Sequence, residues 1–304
     1  MIYLKNQQRK KIKYTTQYIL AKTLFIITNH LPFPFKTFIG RLIGKFILYP
    51  YLKHFEKRRY KIFQHNISII KKKNIPNKKQ LFKQYCIYAS KIFLQTFNPI
   101  KLTPQWLKKN IKENNLEELI NSHKNGNKNI IISAHFGNWE LAQNYLSKVH
   151  NLPLTILYRK QNNIKLNNIF YQNRSNNIEL IEKRNRNSLK NMLQSLNNNR
   201  ILVILIDQKD QSHGSNIQFF NKTAKIPTAI SRIAIKQNCK IFLTHCTAQN
   251  FTIQCTKTIQ ANNFENSPQG ETKLTQEIFH EFEKWIDANP TNWYCLTHNI
   301  WNIN

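Results

Sequence analysis

Glycine is scarce in this chain, with six in 304 residues, and so are acidic residues, with 15 Asp and Glu against 46 Lys and Arg. So few glycines leave no Gly-rich loop of the kind that cradles nucleotide phosphates before a helix. The five cysteines, at 86, 239, 246, 255 and 295, are odd in number and none forms a C-x-x-C. That excludes a closed disulfide framework and gives no reason to expect a metal site; Cys239, Cys246 and Cys255 are expected as small apolar residues in or beside strands, in a reducing compartment. No His/Cys cluster has metal-ligand spacing, and no Ser stands in a nucleophile elbow. A cleavable signal is also lacking, because the basic start is followed by no long apolar core ending in small residues.

What the chain does have is positive charge, +31 in formal terms. Such a balance attracts polyanions: nucleic acid, an acidic protein or an anionic membrane surface. Lys and Asn are dense throughout, including plain loops such as KKKNIPNKK at 71–79, and basic and aromatic residues concentrate on no recognisable nucleic-acid module. A basic nucleic-acid-binding protein is therefore a remote alternative. The most apolar long segment is 18–52, interrupted by Lys22, LPFP at 31–34, Arg41 and Lys45. Each half is shorter than the roughly 20 residues of a straight membrane span. Two amphipathic or half-inserted helices are expected, a helical hairpin serving as membrane anchor over 1–52, with cationic side chains reaching the headgroups. A buried hairpin of a soluble domain is the alternative.

The remainder, 53–304, reads as a second unit. Segments 54–70 and 79–97 carry apolar residues at three- and four-residue spacing and predict helices. From Gly126 on, continuous apolar runs predict strands at 129–134, 154–158, 178–181, 201–207, 240–246 and 251–259, most of them separated by amphipathic helices. The last helix ends before Pro290. This alternation predicts an α/β fold with a mostly parallel central sheet flanked by helices.

In such sheets, functional groups collect where strands end and helices begin. IIISAHFGNWELA, at 130–142, puts His135 at that point. Gly137 permits the turn, Asn138 is a good N-cap, and Glu140 falls in the first helical turn. Glu140 is expected to orient and charge-stabilise the imidazole, leaving His135 a general base. Arg159, at the end of a strand, is a candidate for binding a phosphate or a tetrahedral oxyanion, and Arg174 a weaker one. Asp207 and Gln208 end the strongest strand, where buried polar groups need partners, and fit a supporting role better than a reacting one. Phe219 and Phe220 suit either an acyl channel or the core. With no nucleophile elbow, the reading favours direct transfer in one ternary complex without an acyl-enzyme.

HFGNWE resembles the His-x4-acid box of the bacterial lipid A late acyltransferases, the lauroyl and myristoyl transferases. Further segments agree in order: Tyr158-Arg159 with Asn163 and Arg174, then Asp207-Gln208, Gly214, Phe219-Phe220, Ala224 and Pro227-Thr228. Lys160 stands where the family has Pro, Asn167 near its Asp, and Asn221 in place of a Gly. The family's C-terminal Trp-x-His-Arg-Arg-Trp-like segment reads Leu296-Thr297-His298-Asn299-Ile300-Trp301 here, without either arginine. The resemblance covers roughly 54–301. It implies a membrane-bound acyltransferase moving a fatty acyl chain from acyl carrier protein to a hydroxyl of a lipid A precursor, in lipopolysaccharide biosynthesis. It implies no metal and no cofactor, with His135 and Glu140 catalytic and Arg159, Arg174, Asp207 and Gln208 binding substrate. The implied location is the inner membrane, with the site on its cytoplasmic side. The missing arginines leave open another glycolipid or a glycerophospholipid as acceptor.

Overall fold

The computed structural model describes residues 12–302 apart from 13, 20, 24, 25, 29, 72–76, 97–101, 161, 166, 168–176, 184 and 210–213. Its N-terminal helices lead into a sheet through α1 (Phe33–Ile43), a π-helical turn (Gly44–Leu48), α2 (Tyr49–His54), α3 (Lys57–Ile70), α4 (Lys78–Thr96) and α5 (Pro104–Asn110). The chain continues through β1 (Lys112–Asn114), α6 (Glu117–Lys124), β2 (Asn129–Ser133), α7 (Trp139–Val149), β3 (Leu154–Tyr158) and β4 (Ile178–Glu182). Then follow α8 (Ser188–Asn197), β5 (Ile201–Leu205), β6 (Ser215–Phe219), β7 (Lys222–Ile226), α9 (Ala229–Lys236), β8 (Lys240–Cys246), β9 (Thr252–Gln260) and α10 (Pro268–Ala288).

Seven described strands form one sheet in the order β1-β9-β8-β2-β5-β3-β4. From β8 to β4 every pairing is parallel, while β9 runs antiparallel to β8 and carries β1 with it. The central strands are buried on both sides, as their unbroken apolar runs require. Ile130, Ile132, Leu202 and Ile204 pack into one core with α3, α4, α9 and α10; Ile131, Ile201 and Val203 pack into the other with α5, α6 and α7. The expected α/β architecture with a mostly parallel sheet is therefore present. Most of the segment between the expected strands at 154–158 and 178–181, where a separating helix was expected, falls outside the described residues.

Two features depart from expectation. A separate antiparallel hairpin, β6–β7, turns through Phe220 and Asn221, both at positive φ (55° and 56°). That is the backbone of a tight two-residue hairpin turn, for which Asn substitutes well for Gly. The second concerns the N-terminus. The expected membrane-anchor hairpin finds no support, and no helix among the described residues is long and apolar enough to cross a membrane. α1, the π turn and α2 instead run on as one helical segment lying along α4. Pro50, which lacks an N–H, sits just beyond the π turn, where the regular ladder is already interrupted. Gly44 makes this approach possible: a Cβ there would lie 2.4 Å from the Cα of Ile87.

Candidate active site

β2 and β5 are neighbours with Ser133 opposite Leu205. Two residues further along each strand direction, that register brings His135 beside Asp207, 72 positions away in the chain. The His135 Nδ1 and Asp207 Oδ1 are 2.6 Å apart, and the backbone N–H of His135 donates to Oδ2 at 2.9 Å. The indole N–H of Trp293 donates to the same Oδ2 at 2.8 Å. Asp207 has no exposed surface, and Trp293 none either. Burial works against ionisation of this carboxyl. The His135 charge and the hydrogen bonds from the His135 ring, Trp293 and the His135 N–H outweigh it and hold the group below the usual carboxylate range.

The turn that carries His135 is held from several sides. Gly137 has φ +64°, and a Cβ on it would fall 1.7 Å from the carbonyl oxygen of Cys246. The Gly137 N–H donates to Asn292 O, and the Asn138 N–H to Cys246 O. The Tyr88 hydroxyl donates to Gly137 O at 2.8 Å, and Tyr294 N–H to His135 O at 2.8 Å. As expected, the Asn138 side chain caps α7 by accepting from Leu141 N–H at 3.0 Å; its own amide donates to Gln95 Oε1. The imidazole lies edge-on to Trp139, 5.2 Å between ring centres, and its Nε2 takes part in no hydrogen bond among the described residues.

Glu140 stands in the first turn of α7, half-buried, as its sequence position required. The nitrogen an orienting acid takes, Nδ1, is held by Asp207. Asp207, which the resemblance implies as substrate-binding and the residue reading as supporting, has no exposed surface, and its partner is His135. Gln208 is exposed at the end of β5, and Arg159 is exposed one residue after β3. Both strands neighbour each other in the sheet, so these two side chains share the carboxyl edge with His135. Arg174 lies outside the described residues. Phe219 is completely buried among Phe279, Trp293 and Trp301 and belongs to the core, not to a channel.

An apolar groove of about 340 Å³ instead runs between the α1–α2 segment and α4. Ile43, Ile47, Leu48 and Tyr51 form one wall and Ala89, Ser90, Phe93 and Leu94 the other, and Tyr294 closes one end. The Tyr294 ring packs on Trp139 and its N–H donates to His135 O, so one lining residue of the groove also holds the turn that carries His135. The sequence carries no local sign of it, because its walls come from helices some 40 residues apart.

Cys295 brings a thiol close to the pair; the ligand atoms of His135, Asp207 and Cys295 lie within 4.8 Å of one another. Three such donors are enough in number for a metal ion. Yet His135 Nδ1 and Asp207 Oδ1 are engaged with each other, and the Cys295 thiol is pushed well above its ordinary value by burial and by the Asp207 charge. A ligating cysteine is a thiolate, and both Asp207 oxygens already accept hydrogen bonds, so the set fits a hydrogen-bonded pair beside a neutral thiol better than a metal centre. The same buried, protonated thiol is a poor nucleophile. All five cysteines are free and buried. His298, from the segment lacking its arginines, lies against Tyr294; burial and then the His135 charge depress its basicity.

Residues 4–302 match the family described as bacterial lipid A biosynthesis acyltransferase, and the chain belongs to that family. It is also similar to the phosphatidylinositol mannoside acyltransferases of Mycobacterium tuberculosis strains CDC 1551 / Oshkosh and ATCC 25618 / H37Rv. Identity to each is 22% over 171 residues, 55% of this chain and 52% of theirs. The chain thus spans about half the length of the curated relatives it matches.

Proposed function

We propose that the protein is an acyltransferase that moves a fatty acyl chain from a carrier-bound thioester to a hydroxyl of a glycolipid, with a lipid A precursor as acceptor. The observation that carries this reading is the 2.6 Å contact of His135 Nδ1 with the buried Asp207, in a chain of this family. Asp207 fixes the tautomer with the proton on Nδ1, which leaves Nε2 basic. Nε2 takes the proton of the acceptor hydroxyl as its oxygen attacks the thioester carbon. The imidazolium, stabilised by Asp207, returns that proton to the departing thiol. The acyl chain lies in the groove between α1–α2 and α4. Arg159 is the cation for the oxyanion or an acceptor phosphate, and Gln208 and Arg174 complete the acceptor side. Glu140 adds a second negative charge near the imidazolium, supporting the base where Asp207 orients it.

Acyl carrier protein is the proposed donor, since an acidic carrier is steered by a chain of formal charge +31. The proposed location is the cytoplasmic face of the inner membrane. Phe35, Phe38, Phe46, Ile47 and Phe55 are exposed along α1 to α2, with Arg41 and Lys45 exposed among them and Lys53 half-buried, a pattern suited to lying in a bilayer interface. A second reading keeps the chemistry and changes the acceptor to another phosphorylated glycolipid. It is favoured by Asn299 and Ile300 standing where the family carries arginines, and by the phosphatidylinositol mannoside named for the mycobacterial relatives.

Purified protein in detergent, given labelled acyl-carrier protein and a tetra-acyl lipid A precursor, should produce a heavier lipid. His135→Ala should not. Equal activity of the two proteins sinks the mechanism; acylation of a phosphatidylinositol mannoside alone moves the acceptor to the second reading.

A further inference from the structure

A polar cleft of about 500 Å³ opens beside the carboxyl end of β5, on the hairpin side of the relay. Lys209 lines it two residues after Asp207, with Asn216 from β6, Thr223 and Lys225 from β7, and Ile300 and Asn302 from the C-terminal segment. No carboxylate lines it among the described residues. Elsewhere in the molecule Lys71, Lys240, Lys257 and Lys284 each pair with an acid, at Asp287, Glu118, Glu277 and Glu281. Lys209 donates to the neutral Asn302 Oδ1 at 2.6 Å, and its other two ammonium protons have no partner among the described residues. Lys225 makes no ion pair among the described residues and is exposed, lining the cleft from β7. Two lysines thus line one cavity, and amide and hydroxyl groups from Asn216, Thr223 and Asn302 complete a set of donors. Ile300, 2% exposed, provides an apolar floor. The hairpin that builds one wall is held by its aromatic anchor, Phe219 stacked on Trp301, so the cleft is set by packed core residues.

We infer that this cleft binds a phosphate ester of one of the two substrates, and the inference rests on the acyl-transfer reading above. Lysine serves phosphate as a point charge with rotatable donors, and a volume of this size admits a phosphorylated sugar. Two sources carry the same chemistry: the phosphorylated headgroup of the glycolipid, or the phosphodiester that links a carrier protein to its thioester arm. The position suits the loss of the arginines at 299 and 300. Ile300 occupies one of those positions and lies in the cleft, with Lys209 and Lys225 bringing positive charge to the same place.

The test uses the whole chain in detergent, with Lys209→Gln/Lys225→Gln and the single variant Lys225→Gln, whose exposed side chain serves no packing role. Inorganic phosphate is titrated by calorimetry, and KM is measured separately for the carrier-bound donor, the phosphorylated acceptor and the same acceptor after phosphatase treatment. Expected are saturable phosphate binding by wild type, weakened about tenfold or more in the double variant, and a matching rise in KM larger than any change in kcat. A rise confined to the phosphorylated acceptor assigns the cleft to the headgroup; a rise in donor KM alone assigns it to the carrier arm. Equal phosphate binding by wild type and variants overturns the inference, as does weakened binding with every KM unchanged, or an equal rise on the phosphatase-treated acceptor. If wild type transfers no acyl group, the proposed function fails, while the titration still decides the cleft. A thermal midpoint matching wild type establishes that the variants are folded.

Discussion

A carboxylate with no exposed surface survives in an apolar interior only if charge and donors reach it. Asp207 has both, from the His135 ring, the His135 N–H and Trp293. In the proposed mechanism Asp207 orients the base and Glu140 has a supporting role. Glu140→Gln is accordingly expected to reduce kcat by about 10- to 100-fold, well short of the loss on removing the base; steady-state kinetics in detergent check it, and a loss equal to that of His135→Ala reassigns the orienting role. A second histidine governs stability. His245, 6% exposed and packed against Phe136 and Trp285, is held down to about 4 by burial, against the opposing pull of Glu281. The folded state therefore refuses a proton that the unfolded chain binds near its ordinary value of 6.5. The stability it contributes is complete above about pH 6.5 and falls as pH drops toward 4, by roughly 3 kcal/mol. Chemical denaturation across that window should show the slope, and His245→Gln should flatten it.

At the level of elements, the turn between β2 and α7 is the most constrained piece of the site. Gly137→Ala must either open the contact with Cys246 O or change a positive φ, and is expected to destabilise by about 2 kcal/mol or more, with thermal unfolding as readout. The groove between α1–α2 and α4 is the other element-scale feature. Ser90→Phe, filling one wall beside Phe93, is expected to shift preference toward shorter acyl donors while leaving transfer itself intact, as read from donor competition. The sequence made part of this visible. The strands at 154–158 and 240–246 were legible to the residue because continuous apolar runs bounded by turns have one reading in a parallel sheet. Asn138 as N-cap and Glu140 in the first turn were equally legible, being local. The His135–Asp207 pair was not, because it depends on β5 lying between β2 and β3, an order that no local pattern encodes. Trp293 stayed hidden for the same reason. The β6–β7 hairpin was obscured by its turn, where Phe220 and Asn221 replace the usual glycine.

On the scale of the whole molecule, the apolar and basic face of the N-terminal helices lies on the same segment that walls the groove. If that face rests in the interface, Phe46→Glu/Phe55→Glu should weaken sedimentation with anionic vesicles about tenfold or more while leaving thermal stability unchanged, because both side chains are exposed (62% and 80%). Unchanged sedimentation would remove the membrane proposal and leave the chemistry standing. That chemistry depends on the sheet order that brings positions 135 and 207 together. The direct test is the turnover number of Asp207→Asn, compared with wild type and His135→Ala on the same labelled donor and acceptor, with folding verified by thermal denaturation. An amide at 207 donates to Nδ1, moves the imidazole proton to Nε2 and leaves no base, so turnover should fall by about 10³- to 10⁴-fold, close to His135→Ala. Turnover within about tenfold of wild type in a folded Asp207→Asn would contradict the relay.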